Sequence, residues 1–157
     1  MLLSALAEIV GPRHVRNDRD ALEQFGVDRS SGWRPAPTCV VLPGSTAEVQ
    51  RIVQLAREQR IALVPSGGRT GLSGGAVARN GELVVALERM DRLIDFDPVA
   101  RSLTVQAGMI TARVQEHASA QGFHYGVDFA SAGSSHIGGN VATNAGGTRV
   151  IRYGMTR

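Results

Sequence analysis

Val64-Pro65-Ser66-Gly67-Gly68-Arg69-Thr70-Gly71-Leu72-Ser73-Gly74-Gly75-Ala76 is the stretch on which the reading of this chain turns. It follows the apolar run Ile61-Ala62-Leu63-Val64 and precedes Leu83-Val84-Val85-Ala86-Leu87, so the pattern predicts a glycine-rich loop between two strands. Five glycines in nine residues bury no side chain and lose much backbone freedom on ordering. A ligand or a tight backbone approach is expected to offset that cost. Gly67 and Gly68 can take positive φ and turn consecutive N–H groups into one concavity, a nest for anions such as phosphate, with Thr70 and the serines adding hydroxyls at its rim. The alternative is a flexible glycine hairpin.

Two nucleotide motifs do not fit. A P-loop needs Gly-Lys-Ser/Thr, and the chain contains no lysine. A dinucleotide fingerprint should open a helix with an acidic residue about 20 positions on, whereas here the glycines are spaced otherwise and a strand pattern follows.

Bulk properties narrow the class. With 157 residues and 43% hydrophobic side chains the chain can bury a core. No apolar run is long enough to span a bilayer, and Met1-Leu2-Leu3 runs into Glu8 and Gly11-Pro12 unlike a signal peptide, so a cytoplasmic location is the default expectation. Cys39 stands alone among apolar neighbours, which excludes an internal disulfide, leaves no metal site predicted and reads as a buried thiol. The net charge of +3 comes from arginines scattered singly among 14 acids, with 4% aromatics. There is neither a basic stripe nor a stacking platform, and nucleic acid is not an expected partner.

Helical spacing is expected over Leu2 to Val10, and a second short helix after Asn17-Asp18, with Leu22 and Phe25 on one face. Trp33 sits in a loop from Asp28 to Pro37 and is expected to cover a core edge. Thr38 to Leu42 reads as a buried strand closed by Pro43-Gly44. Ser45 or Thr46 then caps a helix to about Gln59, with Glu48 completing a capping box and Val49, Ile52, Val53, Leu55 and Ala56 facing inward. With Ile61 to Val64 this makes β-α-β, and the glycine loop leaves the carboxyl end of its second strand, where open α/β sheets place ligands. Further on, Leu83 to Leu87 is a third strand, Leu93 to Ala107 a hairpin, and Ile110 to Gln121 a helix bearing His117 as a packing residue.

A second stretch, Ser131-Ala132-Gly133-Ser134-Ser135-His136-Ile137-Gly138-Gly139-Asn140-Val141-Ala142-Thr143-Asn144-Ala145-Gly146-Gly147, has only Ile137 and Val141 as bulky apolar residues. It is expected to wrap a ligand, with Asn140, Thr143 and Asn144 offering donors and acceptors suited to a heterocycle and a pyrophosphate. A low-complexity linker is the alternative.

Taken together, Pro65 to Ala76, Ile137 to Gly147 and Arg152-Tyr153-Gly154 resemble the FAD-binding domain of the vanillyl-alcohol oxidase and p-cresol methylhydroxylase superfamily. Within it the chain is most similar to the FAD-linked D-2-hydroxy acid dehydrogenases, which include D-lactate dehydrogenases, the glycolate oxidase D subunit and D-2-hydroxyglutarate dehydrogenase. Leu42 to Thr46 with Glu48-Val49, and Leu87 to Met90, extend the likeness. The resemblance implies an α+β fold of the p-cresol methylhydroxylase type, with a small β-α-β first half and the start of an antiparallel-sheet second half. Residues 1–35 would form an amino-terminal helical segment and 36–157 an incomplete FAD-binding domain.

By the same resemblance, Pro65, Ser66, Gly67, Gly68, Arg69, Thr70, Gly71, Leu72, Ser73, Gly75 and Ala76 belong to a pyrophosphate loop. Ser135, His136, Ile137, Gly138, Gly139, Asn140, Ala142 and Thr143 line the flavin and ribityl chain, Gly146, Gly147 and Gly154 are close-packed glycines, and Asp128 is an acidic position just before. Gly126 stands where many relatives have proline. His136 stands where they have threonine, serine or alanine, and is either a second flavin contact or a packing residue. Relatives that attach flavin through this loop do so with a histidine at the position of Arg69, so FAD is expected to be non-covalent, with the guanidinium free to pair with phosphate.

The family's chain runs on past Arg157 into further strands and a cap domain holding the substrate clamp and the catalytic base. Arg157 is accordingly expected to be a truncation within a domain, and none of His14, His117, His124 and His136 matches the base, so the catalytic residues are left unassigned. The implied activity is oxidation of a D-2-hydroxy acid of the lactate, glycolate or 2-hydroxyglutarate type, with an unidentified electron acceptor and room for a homodimer of the full-length protein. This chain alone is expected to be inactive. A nucleotide-binding regulatory module without redox turnover is the competing reading.

Overall fold

A computed structural model describes residues 1–156. The chain divides into two compact units, Met1–Arg89 and Met90–Arg157. The architecture is α+β, as the sequence reading expects.

The first unit is built on a four-stranded sheet in the order β1-β2-β4-β3. Its strands are β1 (Val15–Arg16), β2 (Cys39–Val41), β3 (Leu63–Ser66) and β4 (Leu83–Ala86). β2, β4 and β3 are parallel, while β1, which the sequence reading does not anticipate, runs antiparallel to β2. Side chains alternate across a strand, and the apolar runs of β2 and β4 are buried throughout because both faces are covered. On one face Cys39, Val41, Leu83 and Val85 pack with Leu6 and Val10 of α1 (Leu2–Val10) and Ile52 of α3 (Thr46–Gln59). On the other, Val40, Val84 and Ala86 pack with Ala21 and Phe25 of α2 (Arg19–Phe25) and with Ala78 from the glycine loop. Burial pushes the Cys39 thiol up to about 11.

Caps define the helices. Asp18 accepts from Ala21 N–H at 3.1 Å at the start of α2. Ser45 Oγ accepts from Glu48 N–H at 3.2 Å, and Glu48 Oε2 accepts from Gly44 N–H at 2.7 Å. The reciprocal half of the expected box thus reaches one residue before the cap. Val53, placed on the inner face by the sequence reading, is 46% exposed; at 100° per residue it lies a quarter turn away from Ile52.

β3 begins two residues later than the apolar run suggests and takes in Pro65 and Ser66. Leu83 N–H donates to Ala62 O and Leu87 N–H to Ser66 O, so the even residues carry the ladder and Pro65 turns its missing donor to the open edge. Because β3 and β4 are parallel neighbours, residues 67–82 must return to the start of the sheet. That connection is a crossover, which excludes the hairpin reading.

The second unit opens with an antiparallel hairpin, β5 (Leu93–Asp97) and β6 (Ser102–Val105), irregular between Leu93 and Asp95. Asp97 Oδ1 accepts from Val99 N–H at 2.8 Å and Ala100 N–H at 2.9 Å and shapes its turn. Three helices follow: α4 (Thr111–Ala120), α5 (Ile137–Ala142) and α6 (Val150–Tyr153). α5 falls where the sequence reading expects a wrapping segment.

Candidate functional site

The residues singled out in the sequence divide between the two units, and each set has its own geometry. In the first unit the glycine loop starts at the carboxyl end of β3. Its left-handed positions are Arg69 (φ 56°) and Gly74 (φ 79°), not Gly67 or Gly68. Among the described residues, no backbone N–H from Gly67 to Ser73 donates to an acceptor. Ser66 is fully buried and its Oγ has no hydrogen-bond partner among the described residues. Such a run of donors, beside an orphaned hydroxyl, fits an anionic ligand with several oxygens.

Arg69 behaves differently from expectation. Its guanidinium donates to Glu88 Oε1 at 2.9 Å and to Gly67 O at 3.1 Å, and lies 4.6 Å from the centre of the Phe25 ring. These contacts hold a non-glycine residue in the left-handed region, at a backbone cost of about 1–2 kcal/mol. A group expected to meet phosphate is engaged within the chain.

Asp28, which the sequence reading leaves in a loop, stands against the same stretch. Its Oδ1 accepts from Ser30 N–H at 2.8 Å and from the Ser30 hydroxyl. Partial burial raises this carboxyl, but the Ser30 hydroxyl and the N–H groups of Ser30, Gly74 and Ala76 outweigh it and hold it below the usual carboxylate range. Gly71, Leu72, Ser73 and Gly75 are exposed, and Thr70 is half-buried. Trp33 is also exposed, with the Arg79 guanidinium 4.1 Å from its ring centre.

In the second unit, where Met109, Val114, Ala118 and Val127 are buried, a knot of polar side chains is buried as well. Thr111 and Ser135 are buried and their hydroxyls lie 2.8 Å apart, while Asn140 Nδ2 donates to Thr111 Oγ1 at 2.5 Å. Ile137 N–H donates to Met109 O and Gly138 N–H to Ala107 O, both at 2.9 Å, and His136, buried, bridges to Ile110. A Cβ on Gly138 would sit 2.7 Å from Ala107 Cβ. Ser135, His136, Gly138 and Asn140 therefore anchor α5. Gly139, Ala142 and Thr143, at helical i, i+3 and i+4 spacing, form its exposed face.

The glycines that follow are required for different reasons. A Cβ on Gly147 (φ 86°) would overlap Asp128 O at 2.0 Å, and one on Gly146 would meet Val150 at 3.1 Å. Gly154, expected to be close-packed, has open space around it, and its φ of 77° is what demands glycine. Gly126 faces the Tyr153 ring, which a Cβ would meet at 2.4 Å. Asp128 is 3.5 Å from Arg149, and its carbonyl accepts from Thr148 N–H at 3.0 Å. Among the described residues no three His, Cys, Asp or Glu side chains are grouped to hold a metal, and no helix is long and apolar enough to cross a membrane.

The FAD binding domain family model matches residues 37–157. The chain is 54% identical to a D-2-hydroxyglutarate dehydrogenase of Xanthomonas citri pv. viticola, over 98% of this chain and 32% of that protein. A glycolate oxidase subunit of Bacillus subtilis is 32% identical over 97% of this chain and 32% of its own length. The chain spans about a third of the length of the curated relatives it matches. Among solved structures, an alkyldihydroxyacetonephosphate synthase superposes with a TM-score of 0.87 at 26% identity, covering 98% of this chain and 33% of that one. p-Cresol methylhydroxylase, at 18% identity and a TM-score of 0.77 over 92% of this chain and 29% of its own, shares the fold. The chain belongs to the FAD binding domain family, with the fold of p-cresol methylhydroxylase and FAD as its cofactor.

Proposed function

We propose that the protein oxidises a D-2-hydroxy acid to the 2-oxo acid, with D-2-hydroxyglutarate as the favoured substrate, and that this chain holds the FAD non-covalently. The observation that carries the cofactor assignment is the run of N–H groups from Gly67 to Ser73 without acceptors. In this reading they donate to the pyrophosphate oxygens, joined by the Ser66 hydroxyl, in hydrogen bonds worth about 1.5–3 kcal/mol each when the acceptor is charged. When bound, FAD supplies the hydride acceptor. The exposed face of Gly139, Ala142 and Thr143 lets a flat ring approach the backbone of α5, and the Thr111-Ser135-Asn140 knot keeps that face rigid. The choice of substrate is supported by the 54% identity to a D-2-hydroxyglutarate dehydrogenase.

The test uses the full-length protein without oxygen, following loss of flavin absorbance near ~450 nm on adding D-2-hydroxyglutarate, its L-enantiomer, D-lactate or glycolate. Rapid bleaching by D-2-hydroxyglutarate, and slow or none by the L-enantiomer, is expected. A flavoprotein bleached by none of the four would refute the proposal, as would a colourless protein that binds only adenine nucleotides.

A further inference from the structure

We infer that Arg69 is a positioning residue for the glycine loop and not a phosphate ligand: its guanidinium, anchored on Glu88, holds the Gly67 carbonyl and so turns the Gly68 N–H outward. The inference rests on the reading that the N–H groups from Gly67 to Ser73 meet the FAD pyrophosphate.

Three carbonyls of this stretch are held by hydrogen bonds within the first unit. Ser66 O accepts from Leu87 N–H at 3.0 Å and Gly71 O from Arg29 N–H at 2.8 Å. Gly67 O accepts from the Arg69 guanidinium at 3.1 Å. In a planar trans peptide the carbonyl and the N–H that follows it point in opposite directions. The N–H groups of Gly67, Gly68 and Leu72 therefore face away from the groups that hold their carbonyls, and none of the three donates to an acceptor among the described residues. Two of the holders are backbone N–H groups; at Gly67 the holder is a side chain.

That side chain is itself fixed. Its other terminal nitrogen donates to Glu88 Oε1 at 2.9 Å, the centre of the Phe25 ring lies 4.6 Å away, and 18% of the side chain is exposed. Glu88 directly follows Leu87, whose N–H closes the ladder on Ser66 O, so the ion pair ties the loop to the chain at the carboxyl end of β4. Glu88 offsets the guanidinium charge within the chain. A carbonyl that accepts from a cation is polarised, and the N–H on the far side of its peptide becomes a stronger donor. The same hold keeps a carbonyl oxygen, which would repel phosphate, turned to the protein.

The experiment compares wild type, Arg69→Asn and Arg69→Lys in the full-length protein, by FAD titration and by amide hydrogen exchange at saturating FAD. Asparagine tolerates a left-handed φ, so Arg69→Asn removes the hold without adding backbone strain. Its FAD affinity is expected to fall roughly tenfold or more, as loss of one charge-assisted hydrogen bond implies. Gly68 should lose protection while Leu72, whose peptide is held by Arg29 N–H, keeps it. Arg69→Lys retains the charge but offers one nitrogen where the guanidinium offers two; it is expected to lose affinity in the same way, and it decides the matter if the asparagine variant does not fold. Affinity within about twofold of wild type in either folded variant would overturn the inference, as would equal losses of protection at Gly68 and Leu72, the mark of a general loosening. Wild type that binds FAD without protecting Gly67 to Ser73 would refute the phosphate reading and the inference with it, whereas protected wild type with variants that match it would refute the inference alone.

Discussion

Replacing Gly147 by alanine tests the packing of the second unit more sharply than any other single substitution. Residue 147 sits at φ 86° in a bridge with Asp128. An alanine there carries left-handed strain of about 1–2 kcal/mol. Its Cβ, 2.0 Å from Asp128 O and 2.8 Å from that carbonyl carbon, meets backbone that cannot rotate aside. Separating the two segments breaks the 3.0 Å bond from Thr148 N–H to Asp128 O, about 0.5–1.5 kcal/mol, and overpacking adds about 1–3 kcal/mol. The total, about 2.5–6.5 kcal/mol, corresponds to a fall in melting temperature of roughly 5–25 °C for a chain of this size. Two other glycines separate the causes. Gly154 has φ 77° and open space, so Gly154→Ala carries strain alone, about 1–2 kcal/mol. Gly133 has no left-handed φ, and a Cβ on it would meet no described atom beyond its chain neighbours within 4 Å, so Gly133→Ala should change stability by no more than about 0.5 kcal/mol. Thermal melts of the three variants should rank them in that order; Gly147→Ala melting together with Gly133→Ala would refute the reasoning.

Gly138→Ala should destabilise by about 1–3 kcal/mol, because its Cβ meets Ala107 Cβ at 2.7 Å and Ala107 O at 3.0 Å; adding Ala107→Gly should restore part of the denaturation midpoint, and no recovery would mean the contact is misassigned. The Asp18 carboxyl is held at about 2, first by the Arg16 guanidinium and then by the Ala21 N–H. Its folded pKa lies below the unfolded value of about 3.9, so its contribution is full above pH ~4 and is lost as pH falls toward ~2. Asp18→Asn should therefore flatten the stability–pH curve in that window, and an unchanged slope would contradict the assignment. Acid precipitation of the full-length protein should leave all flavin colour in the supernatant, since a guanidinium at Arg69 is no nucleophile; colour in the pellet would show a covalent link.

What could be read from the sequence follows from how local each cause is. β2 and β4 were legible because a buried strand is apolar at every position, as in Cys39-Val40-Val41 and Leu83-Val84-Val85-Ala86. α3 was legible through Ser45 and Glu48. α5 was not, because Gly138-Gly139 opposes a helix on propensity alone. It forms through distant partners, Met109 O, Ala107 O and Thr111 Oγ1, which take up Ile137, Gly138 and Asn140. The glycine loop stood out by composition, yet its internal bracing did not. The pairing of Arg69 with Glu88 spans 19 positions and crosses two strands' ends, and nothing local ties Arg29 N–H to Gly71 O. The one signal was Asp28 two residues before Ser30, a pattern of turn-forming side chains.

The central claim is that the backbone amides after β3 receive the FAD phosphates. Hydrogen exchange of the full-length protein with and without FAD measures this at the residues concerned. The account predicts strong protection on FAD binding of the N–H groups from Gly67 to Ser73, which have no acceptor among the described residues. FAD bound tightly with exchange from Gly67 to Ser73 unaltered would contradict it.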